Sequence, residues 1–125
     1  MALPKHKEHH GLPFDVWEQL SALFKKYPSI RKVTLYGSRA KGNYRPNSDI
    51  DLILTAPDMS WAEFNHLEQG IDDLLLPWKV DLALKHHVDN AELLAHVDRV
   101  GIVIYRYRDA GEARAAGING DKGRP

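Results

Sequence analysis

The run DIDLILT, residues 49–55, constrains this chain more than any other stretch. Its apolar and β-branched residues predict a strand, yet Asp49 and Asp51 stand at its start. Residues two apart on a strand share a face, so both carboxylates point one way while Ile50, Leu52 and Leu54 form the other face. A carboxylate drawn toward a core costs several kcal/mol unless it is paired or bound to a metal. Two such groups side by side also repel. A hard divalent cation removes both problems, because Mg2+ takes oxygen ligands and commonly uses one or two carboxylates together with substrate phosphates. Taken alone, the pattern is short, and a solvent-facing edge strand with two ordinary acids is the simpler explanation.

A third acid changes the weighing. Residues 78–84, WKVDLAL, predict another strand, with Val80, Leu82 and Leu84 on one face and Asp81 on the other. If that strand neighbours 49–55, three carboxylates converge. Three carboxylates can hold two Mg2+ ions about 3.5–4 Å apart, an arrangement suited to in-line phosphoryl or nucleotidyl displacement. By itself, Asp81 is explained as well by pairing with a nearby Lys or Arg.

Upstream, RKVTLY (31–36) predicts a strand broken by Gly37-Ser38, and a short segment suited to starting a helix follows. Glycine lets a backbone come close to a ligand, and a helix N-terminus presents free N–H groups to anions. Ser38 adds a hydroxyl. Gly-Ser alone is a weak signal, since a plain strand-to-helix turn needs no ligand. The order strand, Gly-Ser, ten residues, Asp-x-Asp is more telling, because it sets a phosphate cradle and metal ligands at the same end of adjacent strands. Arg39, Lys41 and Arg45 lie between the two and are candidates to meet a triphosphate, although each singly reads as a solvated surface charge.

The other elements follow from periodicity. Residues 13–27 predict a helix with Val16, Leu20, Leu23 and Phe24 on one face, stopped by Pro28. Residues 60–75 predict a second, opened by a capping box of Ser60 and Glu63 and weakened by about 1 kcal/mol at Gly70. Asp89 or Asn90 caps a helix over 91–99, and VGIVIYRY, 100–107, predicts a fourth strand or an extended segment. This order gives a mixed α/β (α+β) layered fold in one domain, 12–107. Residues 1–11 are polar and predict a flexible leader. In it His6, His9 and His10 offer adventitious metal contacts, but a solvated segment is the favoured reading. Residues 108–125 have few large apolar side chains and predict a disordered tail. For Trp17, Trp61 and Trp78 a core position is favoured over an interface.

Bulk properties exclude several classes. Seventeen basic and seventeen acidic residues balance, so net charge gives no electrostatic footprint for duplex nucleic acid; this argues only weakly against a general nucleic-acid binder and leaves a local basic patch open. The absence of cysteine removes disulfide scaffolds and thiolate metal sites. The N-terminal run MALPKHKEHHGLPF has no long apolar core of the signal-peptide kind, and no stretch approaches the roughly 20 apolar residues of a membrane span. The expectation is a soluble, cytoplasmic chain.

The segment GSRAKGNYRPNSDIDL resembles the signature of the minimal nucleotidyltransferases (MNT), a branch of the DNA polymerase β-like nucleotidyltransferase superfamily. That signature is Gly-Ser, ten residues, Asp-x-Asp and a later carboxylate. Here these are Gly37, Ser38, Asp49, Asp51 and Asp81, with Ala40, Gly42 and Ser48 extending the match. The similarity in length and element order covers about residues 12–107. It implies a small mixed β-sheet with helices packed on one face, and ATP as donor with two Mg2+ ions. It implies that Gly37 and Ser38, with Arg39, Lys41 and Ser48, hold the triphosphate. Asp49 and Asp51 would bind the metals, and Asp81 would bind the metal nearest the nucleophile and help activate the acceptor hydroxyl. It also implies a partner. Such proteins commonly occur beside a small helical HEPN ribonuclease toxin, and act as the antitoxin by transferring AMP to it, typically onto a tyrosine hydroxyl. Lys41 departs from the Arg of many relatives, and lysine meets a phosphate as a point charge rather than a fork. Two alternatives stand beside this reading. One is a non-catalytic antitoxin that neutralises its toxin by complex formation. The other, held lower because such relatives usually carry a further domain, is a small-molecule (antibiotic) nucleotidyltransferase.

Overall fold

Helix α1 (Phe14–Phe24) follows Pro13 and buries Val16, Leu20 and Phe24 at spacings of four, one stripe of a helix. It ends three residues before the predicted limit. The residue before a proline is disfavoured in the helical region, and here Pro28 follows Tyr27. Tight turns take over, with Tyr27 N–H on the Phe24 carbonyl and Ile30 N–H on the Tyr27 carbonyl, and they bury both side chains. The structure, a computed structural model, describes residues 9–107; the predicted leader before His9 and the predicted tail over 108–125 lie outside the described residues. His9 and His10, placed by sequence in a loose leader, stand in a turn fastened to the body. The Trp17 indole N–H donates to the His9 carbonyl at 2.8 Å, and Arg39 donates to the His10 carbonyl at 2.9 Å.

Four strands form one sheet among the described residues: β1 (Lys32–Tyr36), β2 (Ile50–Thr55), β3 (Val80–Leu84) and β4 (Ile102–Arg106), in the order β3-β2-β1-β4. β1 runs antiparallel to β2 and β4, while β2 and β3 are parallel. A parallel pair needs a crossover, and helix α3 (Trp61–Asp72) supplies it. Its predicted capping box is present, with Glu63 N–H on Ser60 Oγ at 3.1 Å and Ser60 N–H on Glu63 Oε1 at 3.3 Å. Gly70, costly inside a helix, marks where α3 meets α1: a Cβ there would lie 3.1 Å from Leu23 Cδ1.

The core fills the space between the two long helices and one sheet face. Val33, Leu35, Ile50, Leu52, Leu54 and Leu84 line the sheet side, and Leu20, Phe24, Phe64, Leu67 and Ile71 the helix side. On the other face, helix α4 (Ala91–Val100) packs against β1, burying its own Val97, and Ile53 of that face is 1% exposed. Asn90 is its cap, accepting from Leu93 N–H at 3.1 Å. Gly101, just after α4, abuts the Thr34 side chain, so no larger residue fits there. Trp17 and Trp78 pack partly buried against the core, but Trp61 does not: it is 55% exposed and rests against Phe64 and His87.

Candidate active site

The register brings the acids together. Parallel pairing sets Asp51 beside Asp81, and antiparallel pairing sets Asp51 beside Tyr36 at the end of β1. Asp49 lies just before β2. One oxygen from each of Asp49, Asp51 and Asp81 lies within 4.8 Å of the other two. The neighbour relation that the sequence left conditional is therefore met.

These carboxylates crowd one another. Burial pushes the Asp51 carboxyl above the usual range, and the charges of Asp81 and Asp49 push it further. The Tyr36 phenol is raised by burial and then by Asp51 and Asp81. Lys79 Nζ stands 3.8 Å from Asp81 Oδ1, but both side chains are largely open to water, so this pair offsets little of the repulsion. Three carboxylate donors, with no nitrogen or sulfur among them, form a set suited to a hard cation such as Mg2+.

Gly37 opens the short helix α2 (Gly37–Lys41) directly behind these acids. Its φ of +75° is one that other residues avoid, and a Cβ would run into Asp51 Oδ2. Glycine is thus required twice, by the turn and by the approach of the carboxylate. Ser38 follows, half-buried, and Gly42 closes the helix at φ +90°. Lys41 and Arg45 remain exposed at the end of α2 and in the loop after it.

Arg39 departs from its predicted role at the triphosphate. It is 1% exposed, and its donors are committed to the backbone. Nε and Nη2 donate to the Ser48 carbonyl at 3.2 and 2.9 Å, Nη2 also to Pro46 at 3.2 Å, and Nη1 to His10 at 2.9 Å. The Tyr44 ring lies 5.1 Å from the guanidinium carbon. Arg39 therefore braces the 44–48 loop that carries the chain into Asp49. Ser48, also predicted at the nucleotide, shapes the same loop: its Oγ accepts the Arg45 N–H at 2.8 Å. Trp78 adds a second brace, with its indole N–H on the Pro46 carbonyl at 2.8 Å.

Two contributors escaped the sequence. Trp78 read as core or interface, with core favoured, and not as a loop brace. His96, on α4, reaches across to the site: its Nε2 accepts the Gly37 N–H at 3.2 Å, and its ring meets Tyr36 edge-on at 6.1 Å between centroids. The available signal was faint, a histidine beside the apolar stripe of Leu93, Val97 and Val100.

Comparisons with known proteins point the same way. The family described as polymerase beta, nucleotidyltransferase, matches residues 18–110. No curated protein matches the chain. Among solved structures, the chain is similar to a toxin–antitoxin complex with AMP-PNP, at TM-score 0.60 and 23% identity over 78% of this chain and 78% of that one. A mutant MntA–HpeT toxin–antitoxin complex gives TM-score 0.58 and 22% identity over 82% and 80%. The MntA–HepT toxin–antitoxin complex gives 0.57 and 21% over 76% and 74%. At such identities the likeness is one of fold.

Proposed function

Because the chain belongs to the polymerase β nucleotidyltransferase family, we propose that it transfers AMP from ATP, with Mg2+, to a tyrosine hydroxyl of a partner HEPN ribonuclease toxin, and so acts as the antitoxin. The observation that carries this reading is the convergence of Asp49, Asp51 and Asp81 within 4.8 Å beside the Gly37–Ser38 turn. The toxin–antitoxin complexes of similar fold, one of them with AMP-PNP, support the choice of partner and donor. No helix among the described residues is long and apolar enough to cross a membrane, and ATP with a ribonuclease partner points to the cytoplasm.

In this reading Asp49 and Asp51 would hold Mg2+, with Asp81 completing the set. Bound Mg2+ supplies charge neutralisation for the triphosphate and the departing pyrophosphate. The chain does the rest. The Ser38 hydroxyl and the unpaired N–H groups that follow it donate to phosphate oxygens. Lys41 and Arg45, exposed nearby, add positive charge around the same anion. The Asp81 side chain, 48% exposed, is open to an incoming hydroxyl and accepts its proton. The phenolic oxygen forms a bond to the α-phosphorus, the α–β phosphoanhydride breaks, and pyrophosphate leaves.

The test is intact mass. The chain is co-expressed with the product of its neighbouring gene, both are purified, and the partner is weighed. An AMP adduct that disappears with Asp49→Asn is the expected result. A tight complex with no adduct would instead leave an antitoxin that works by binding alone. Transfer to an aminoglycoside without any protein acceptor would favour a small-molecule enzyme.

A further inference from the structure

The N–H of Gly37 is one of the first-turn donors that no carbonyl of α2 can satisfy. His96 provides its acceptor, Nε2, at 3.2 Å, from a helix 59 residues further along the chain. An accepting Nε2 carries no proton, so this contact requires the neutral ring protonated at Nδ1. The ring is itself held, edge-on to Tyr36 at an interplanar angle of 82°. Tyr36 in turn pairs with Asp51 across β1 and β2. One side chain thus ties α4 to both the backbone and the aromatic wall of the site.

Gly37 has most need of such a tie. Its lack of a side chain admits Asp51, as the collision of a Cβ with Oδ2 shows. The same lack leaves the turn the most conformational freedom to lose. A fixed acceptor on a separate helix removes that freedom from outside.

We infer that His96 is a positioning residue for nucleotide binding: by holding the Gly37 amide, it fixes the turn that presents Ser38 to a nucleoside triphosphate beside Asp51. This rests on the nucleotidyl-transfer reading of the site. The Gly37 N–H then stays on His96 in the bound state, and the Ser38 hydroxyl meets the triphosphate.

Two variants separate this role from packing. His96→Phe keeps a flat ring against Tyr36 but has no acceptor, while His96→Gln keeps an acceptor oxygen of similar reach. The full chain is titrated with AMP-PNP in Mg2+ by calorimetry, and hydrogen exchange is followed at the Gly37 amide. His96→Phe should bind AMP-PNP about tenfold more weakly, the effect of one lost neutral hydrogen bond, and lose protection at Gly37. His96→Gln should stay within about twofold of wild type and keep that protection. If His96→Phe does not fold, His96→Leu replaces it in the same comparison. Equal AMP-PNP affinity in wild type and the acceptor-free variant overturns the role of His96, as does a loss in His96→Gln as large as in His96→Phe. Failure of the wild type itself to bind AMP-PNP with Mg2+ would instead overturn the nucleotidyl-transfer reading and this role with it.

Discussion

Arg39→Met decides whether Arg39 is a phosphate ligand or a brace. Methionine keeps much of the apolar stem and removes the charge and every donor. The wild-type guanidinium, 1% exposed, serves the carbonyls of His10, Pro46 and Ser48. Pro46 would retain the Trp78 N–H at 2.8 Å, so two carbonyls, His10 and Ser48, lose these donors. Each buried group left unsatisfied costs about 1–3 kcal/mol. Burial also pulls the Arg39 pKa below its ordinary value, a sign that desolvation already offsets part of what the guanidinium contributes. The net loss should be about 2–4 kcal/mol, a large share of the roughly 5–15 kcal/mol that holds a typical domain together. Urea unfolding followed by tryptophan fluorescence measures it directly, and the m-value should not change. Mg2+ affinity should fall several-fold as well, because Ser48 precedes Asp49 in the chain. The reasoning would be refuted by an Arg39→Met protein within about 0.5 kcal/mol of wild type that has lost only its affinity for AMP-PNP. That outcome would return Arg39 to the triphosphate.

Three further outcomes follow from the crowded acids. Asp51→Asn should end transfer yet raise the Tm of the metal-free protein by about 2–4 °C, since it removes a like charge from a partly exposed cluster; differential scanning calorimetry in chelator reads it. The pH dependence has a fixed sign. Asp51 holds its proton above the ordinary carboxylate range, first through burial and then through Asp81 and Asp49. The folded chain therefore binds that proton more tightly than the unfolded chain does. This stabilisation is complete below the ordinary carboxylate pKa of about 4 and is lost as pH rises through the raised value. The Tm of wild type relative to Asp51→Asn should fall over that window in chelator, and saturating Mg2+ should abolish the fall. Gly37→Ala should cost about 1–2 kcal/mol from the positive φ alone, and displacement of Asp51 by the new Cβ should weaken Mg2+ binding at least tenfold by calorimetry.

What the sequence made legible was local. Gly37-Ser38 after a strand, Asp49 and Asp51 two apart, and Ser60 three before Glu63 are relations that backbone geometry dictates within a few residues, and the structure repeats each of them. Asp81 was legible one step further out, because a charged residue alone in an apolar strand stands out, and the parallel register sets it beside Asp51. Beyond that range side-chain type misled. Trp61 has the bulk of a core residue and yet stays exposed on the first turn of α3, and Arg39 has the charge of a surface residue and yet is buried. Arg39 and His96 share the deeper reason. Each acts on the backbone of a distant segment, Arg39 on three carbonyls and His96 on one amide. Every residue carries a carbonyl and all but proline an N–H, so such a partner leaves no mark in residue type or spacing. The acids could be found because they stand out against apolar strand runs at readable spacings. Their supports needed only the chain, and no sequence pattern distinguishes one stretch of chain from the next until the fold brings it near.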